Sequence, residues 1–74
     1  MGVSIQIIPD AGMDIEDAFA ESIRISSILK CCVEFKFNNV TCFGYWDGKA
    51  GVGAKEYHEA QVSGRQYKFA NSRR

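Results

Sequence analysis

The sequence predicts a single α+β domain: a three-stranded sheet in β-α-β-β order with one amphipathic helix on one face, plus a C-terminal helix or edge strand. Three observations carry this. Residues 3–7 alternate apolar and polar, residues 14–30 repeat apolar side chains at helical spacing, and residues 31–46 read CCVEFKFNNVTCFGYW, two β-prone runs around Asn38-Asn39. At 74 residues the chain is too short to bury two cores, so 1–74 is one domain.

Each element follows from its residues. Val3, Ile5 and Ile7 share one face of the first strand, and Pro9 ends it by removing a backbone donor. Asp10, Ala11 and Gly12 make the turn. In the helix, Ile15, Ala18, Phe19, Ser22, Ile25, Ser26 and Leu29 form one stripe, with Asp14 as its cap and Ile23 and Ile28 at its flanks. Asp17, Glu21 and Arg24 gather opposite, Glu21–Arg24 as a favourable pair. The small Ser22 and Ser26 predict a close approach of helix to sheet.

The hairpin comes next. Asparagine tolerates positive φ, so Asn38-Asn39 suits a type I′ turn. That turn pairs Phe37 with Val40, Phe35 with Cys42, Val33 with Gly44 and Cys31 with Trp46. One face then carries Cys31, Val33, Phe35, Phe37, Val40, Cys42 and Trp46, and should cover the helix stripe; the other carries Cys32, Glu34, Lys36, Thr41, Phe43 and Tyr45. The strand-helix-strand connection should be right-handed. Residues 47–53 (DGKAGVG) read as a flexible glycine-rich loop and 54–62 as a short second helix, broken by Ser63-Gly64. Residues 65–69 alternate as an edge strand or extended tail would, and 70–74 read as frayed.

Charge and cysteine usage narrow the function classes. Lys+Arg and Asp+Glu are both 9, so net charge gives no argument for nucleic acid, although acids collect before Arg24 and no acid follows Glu59. Three cysteines, Cys31, Cys32 and Cys42, argue against a secreted disulfide framework, and adjacent cysteines point to opposite faces, so no metal site is expected. Reduced thiols and no signal-like or spanning segment point to a cytoplasmic protein off the membrane. His58 lacks a partner nucleophile: Cys31 and Cys42 lie on the predicted inner face, where thiols are inert. No catalytic residue and no cofactor is expected.

Two places are candidates for binding. Phe43 and Tyr45 project from the sheet away from the helix, beside Glu34 and Lys36, as an aromatic contact surface for a partner protein, a second copy or a stacked base. The competing expectation covers them with Val62, Tyr67 or Phe69 of the chain's own tail. The second place is the glycine loop, where Lys49, Gly51, Gly53, Lys55 and Arg65 would hold an anion or nucleotide, although the lysine precedes the glycines and Walker spacing is missing.

The hairpin formed by Val33, Phe35, Phe37, Asn38, Asn39 and Val40 resembles the F-x-F-N-G-V hairpin of small β-α-β-β proteins of phage and prophage genomes, with Asn39 where glycine is usual. The likeness covers residues 3–46. It implies that fold and a phage origin, not an activity. Phage proteins of this size are frequently stoichiometric inhibitors of host defence, and by that analogy of fold and size the chain is expected to bind and block a host macromolecule in the host cytoplasm. Three readings therefore stand: a protein-binding inhibitor, homo-oligomeric through its sheet face or edge; a nucleotide- or anion-sequestering protein; and a nucleic-acid-binding module.

Overall fold

The computed structural model describes residues 4–9, 12–64 and 66–73. Strand β1 (Ser4–Ile7) leads to helix α1 (Ile15–Leu29), strands β2 (Cys32–Phe37) and β3 (Val40–Gly44), helix α2 (Ala50–Val62) and strand β4 (Lys68–Asn71). The sheet has four strands in the order β1-β2-β3-β4: the expected three, with β4 at the far edge as the edge strand that the C-terminal segment offered as one alternative. Val3, Asp10, Ala11, Arg65 and Arg74 lie outside the described residues.

Helix α1 starts and stops where its residues say it should. Asp14 is extended at φ −82°, and its carboxylate accepts the Asp17 amide at 2.8 Å. Lys30 closes the helix in the left-handed region at φ 57°, donating its amide to Ser26 O. Ile15, Ala18, Phe19, Ser22 and Ser26 are buried. Leu29, expected in the buried stripe, is half exposed: it shares the stripe's direction but sits in the last turn, where burial gives out. Ser22 meets the sheet at Gly44, where a Cβ would stand 2.0 Å from Ser22 Oγ. The close approach expected from the small serines is present at that pair.

Asn38 and Asn39 have φ of 48° and 68°, the positive pair that a type I′ turn requires. The register is Phe37 to Val40, Phe35 to Cys42 and Val33 to Gly44. The expected Cys31–Trp46 pair does not form. Strand β3 ends at Gly44 and the chain turns, Gly48 N donating to Tyr45 O at 2.9 Å, so Trp46 leaves the inner face and is 48% exposed. Cys31 precedes β2 and is half-buried.

The C-terminal third departs most from expectation. Helix α2 begins at Ala50, so Ala50, Gly51, Val52 and Gly53 of the expected loop are helical. The reason is packing: Gly53 is buried against Phe19, whose ring atoms lie 2.5–2.6 Å from where a Cβ would be. The expected fraying of 70–74 is also corrected for its described part, because β4 runs parallel to β3 with Cys42 beside Ala70 and Phe43 beside Asn71. Ser72 then locks the strand end. Its amide donates to Phe43 O, its carbonyl accepts from Lys49 N, and its hydroxyl accepts from Tyr45 N.

One core joins Ile15, Ala18 and Phe19 of α1 and Tyr57 of α2 to Phe35, Val40, Cys42 and Ala70 of the sheet. Both helices therefore lie on the same face. The steps β1-α1-β2 and β3-α2-β4 cross the sheet in the same direction, but the hairpin reverses strand polarity between them. The two crossovers must then have opposite hands, and one takes the rare left hand. Among the described residues the other face of the sheet carries no helix, and the shortest extent of 19 Å fits one sheet layer and one helix layer.

Candidate binding face of the sheet

Alternation sends every second residue to the open face. Across the pairs Glu34–Phe43, Lys36–Thr41, Thr41–Phe69 and Phe43–Asn71, one surface collects Glu34, Lys36, Thr41, Phe43, Phe69 and Asn71. The four residues expected as the partner-binding set, Phe43, Tyr45, Lys36 and Glu34, are brought to this face or its rim. Phe43, Tyr45 and Glu34 are half-buried and Lys36 is exposed.

The chain's tail adds to this surface instead of covering it. Phe69 enters the sheet beside β3 and stacks on Phe43 with centroids 6.4 Å apart and planes 20° from parallel, itself 59% exposed. Val62 and Tyr67, the other expected covers, are exposed. Arg73 arches back so that its guanidinium carbon lies 4.1 Å from the Tyr45 ring centroid and 5.3 Å from the Trp46 ring. Arg73 Nε donates to Asp47 Oδ1 at 2.8 Å, which holds the guanidinium in place and its pKa above the ordinary value. The Tyr45 phenol is pushed up chiefly by its hydrogen bond with Cys32, then by burial and the Cys32 charge, with Arg73 acting the other way.

Phe69 and Trp46 were not among the sequence candidates for binding. The alternation of Tyr67, Lys68 and Phe69 held the signal for Phe69, but only pairing with β3 places that ring beside Phe43. Nothing local in the sequence announces that Arg73 returns to Tyr45.

The alternative anion site does not assemble as a loop. Lys49 precedes α2, Gly51 and Gly53 lie within it, and the Gly53 amide is already given to Lys49 O at 3.1 Å. Lys55 is exposed on α2, and Arg65 lies outside the described residues. Burial pushes the Cys42 thiol up to about 12, and His58 is exposed with its ring against Tyr57. Among the described residues no cluster of three or more His, Cys, Asp or Glu could hold a metal, and no helix is long and apolar enough to cross a membrane. Comparison with protein-family models, with curated proteins and with solved structures finds no match.

Proposed function

We propose that this chain is a non-enzymatic binding protein that blocks a partner protein with the open face of its sheet. Following its phage-type hairpin, we take the partner to be a host defence protein met in the host cytoplasm. The observation that carries the reading is the ring cluster: Phe43 stacked on Phe69, with Tyr45 and Trp46 gripped by Arg73, on a face that no helix covers. Aromatic and arginine side chains dominate interface energetics, the aromatic ones because they bury large areas through few rotatable bonds. A guanidinium already fixed by Asp47 loses little freedom on binding. Glu34 and Lys36 at the margin supply both signs of charge, which suits a protein surface better than a polyanion.

A second reading has one observation in its favour. Phe43 and Phe69 lie nearly parallel, and the Arg73 guanidinium lies over Tyr45; aromatic rings with arginine are also the means by which proteins stack nucleic-acid bases. Capture from host lysate with wild type and with Phe43→Ala/Tyr45→Ala separates the readings. The protein-inhibitor reading expects a defined protein retained by wild type, lost with the double variant and little changed by salt. Nucleic acid retained with a steep salt dependence replaces it with the second reading. A double variant that captures the same protein as wild type removes both.

A further inference from the structure

Arg73 reaches the rim of the open face from the tail, and its guanidinium is fixed there on several sides. Nε donates to Asp47 Oδ1 at 2.8 Å, while the central carbon lies 4.1 Å from the Tyr45 ring centroid and 5.3 Å from that of Trp46. The backbone behind it is held as well. Arg73 N donates to Asn71 Oδ1 at 2.7 Å, and the preceding Ser72 is buried and bonded to Phe43 O and Lys49 N. A surface arginine is ordinarily a flexible chain whose ordering offsets much of what its contacts gain. Here the ordering is already done within the fold.

The donors of this guanidinium are used unevenly. Its N–H groups form a rigid planar fork. Asp47 takes Nε alone, and among the described residues neither Nη group meets an acceptor. The Nη1–Nη2 edge is thus left for a second acceptor. The Arg73 side chain keeps 44% of its surface exposed although two rings lie against it, so an incoming group can reach it.

The surrounding charge selects among acceptors. Asp47 stands in contact with the guanidinium, and Glu34 lies on the same sheet face, so a multiply charged phosphoryl group would meet carboxylates on arrival. Lys49, bonded through its amide to Ser72 O, adds a positive charge nearby in the chain. Such a mixed field suits a single negative charge. A planar carboxylate also matches the Nη1–Nη2 edge with two parallel hydrogen bonds, which a lysine could not offer.

We propose that the protein partner of the open face carries an aspartate or glutamate beside its apolar patch, and that Arg73 takes this carboxylate through its Nη1–Nη2 edge at the Tyr45–Trp46 rim. The inference rests on the open-face reading and adds the partner's chemical character. Phe43 and Phe69 supply contact area, and Arg73 fixes the orientation. The adjoining rings keep water from one side of the pair, which strengthens its hydrogen bonds.

Nuclear magnetic resonance titration of the isotope-labelled full chain tests it, with acetyl-Phe-Glu-amide and its uncharged isostere acetyl-Phe-Gln-amide as probes. The signals read are Arg73 Nε–H and the indole N–H of Trp46, the single tryptophan. The glutamate peptide should shift both, and the glutamine peptide should bind at least about threefold more weakly. Arg73→Gln and Arg73→Lys should each abolish that preference, read at the indole, with circular dichroism unchanged. Equal affinity for the two peptides, a preference that survives both variants, or no shift up to about 20 mM peptide overturns the proposal. Inorganic phosphate shifting both signals as strongly as the glutamate peptide overturns it too. None of these results removes the open-face reading, which fails separately when Phe43→Ala/Tyr45→Ala leaves capture of the partner unaltered.

Discussion

Phe35 is fully buried and meets the Phe19 ring edge-on at 5.1 Å, joining the hairpin to α1. A chain of 74 residues has roughly 4–11 kcal/mol of stability, and truncating a buried phenylalanine costs about 3–5 kcal/mol. Phe35→Ala should therefore remove a large share of the stability, about 3–5 kcal/mol by chemical denaturation, whereas exposed Phe69→Ala should keep the fold and most of the stability. Ser26 makes the opposite case: its buried hydroxyl has no hydrogen-bond partner, so Ser26→Ala should raise the denaturation midpoint, by about 1 kcal/mol. Cys42 gives a pH signature. Its thiol titrates near 12 when folded against an ordinary 9.0, so its contribution is whole below pH 9 and fades toward 12, because the unfolded chain ionises first. Denaturant midpoints should fall between about pH 9 and 10, and Cys42→Ala should flatten that fall. Phe35 and Cys42 were legible in the sequence because strand alternation from a fixed turn assigns a face to each residue. Trp46 was misplaced because the alternation stops at Gly44, two residues earlier.

The elements differ in how strongly their own residues specify them. Helix α1 carries its cap, its stripe and its acidic first turn in the sequence, and the hairpin carries its register in two asparagines. Helix α2 has no side-chain cap and carries two glycines in its first turn, Gly51 and Gly53, so its local signal is that of a loop. It is helical because Gly53 lets Phe19 sit against its backbone and because Tyr57 packs edge-on against Phe37 at 5.4 Å while accepting a hydrogen bond from Asn38. Two substitutions separate propensity from packing. At Gly51 a Cβ would meet only Glu16 Oε2 at an ordinary 3.6 Å, so Gly51→Ala should stabilise by up to about 1 kcal/mol. Gly53→Ala has the same propensity gain but drives a methyl into the Phe19 ring, and should destabilise by about 1–3 kcal/mol. Thermal denaturation of the pair shows opposite shifts if tertiary contact makes this helix.

For the whole molecule, the C-terminal third completes both the core and the open face. Ala70 and Ser72 are buried, and Ser72 ties β3, the start of α2 and the tail together through three hydrogen bonds. Deleting residues 68–74 should abolish cooperative unfolding, where a frayed tail would leave it unchanged. Sequence reasoning reached the first strand, α1 and the hairpin because their contacts are patterned locally. It offered the C-terminal edge strand only as one alternative, over residues 65–69, because β4 at Lys68–Asn71 is fixed by pairing with a strand 28 positions earlier, as Lys68 beside Val40 shows. The binding face shares that origin: Phe43 and Tyr45 follow from the turn, but Phe69 and Arg73 join them only after β4 docks. The most direct test of the account is the affinity of the captured partner for wild type and for Phe43→Ala/Tyr45→Ala at low and high salt. The account predicts a loss of ~30-fold or more with a shallow salt dependence. An affinity unchanged by the two substitutions would contradict it.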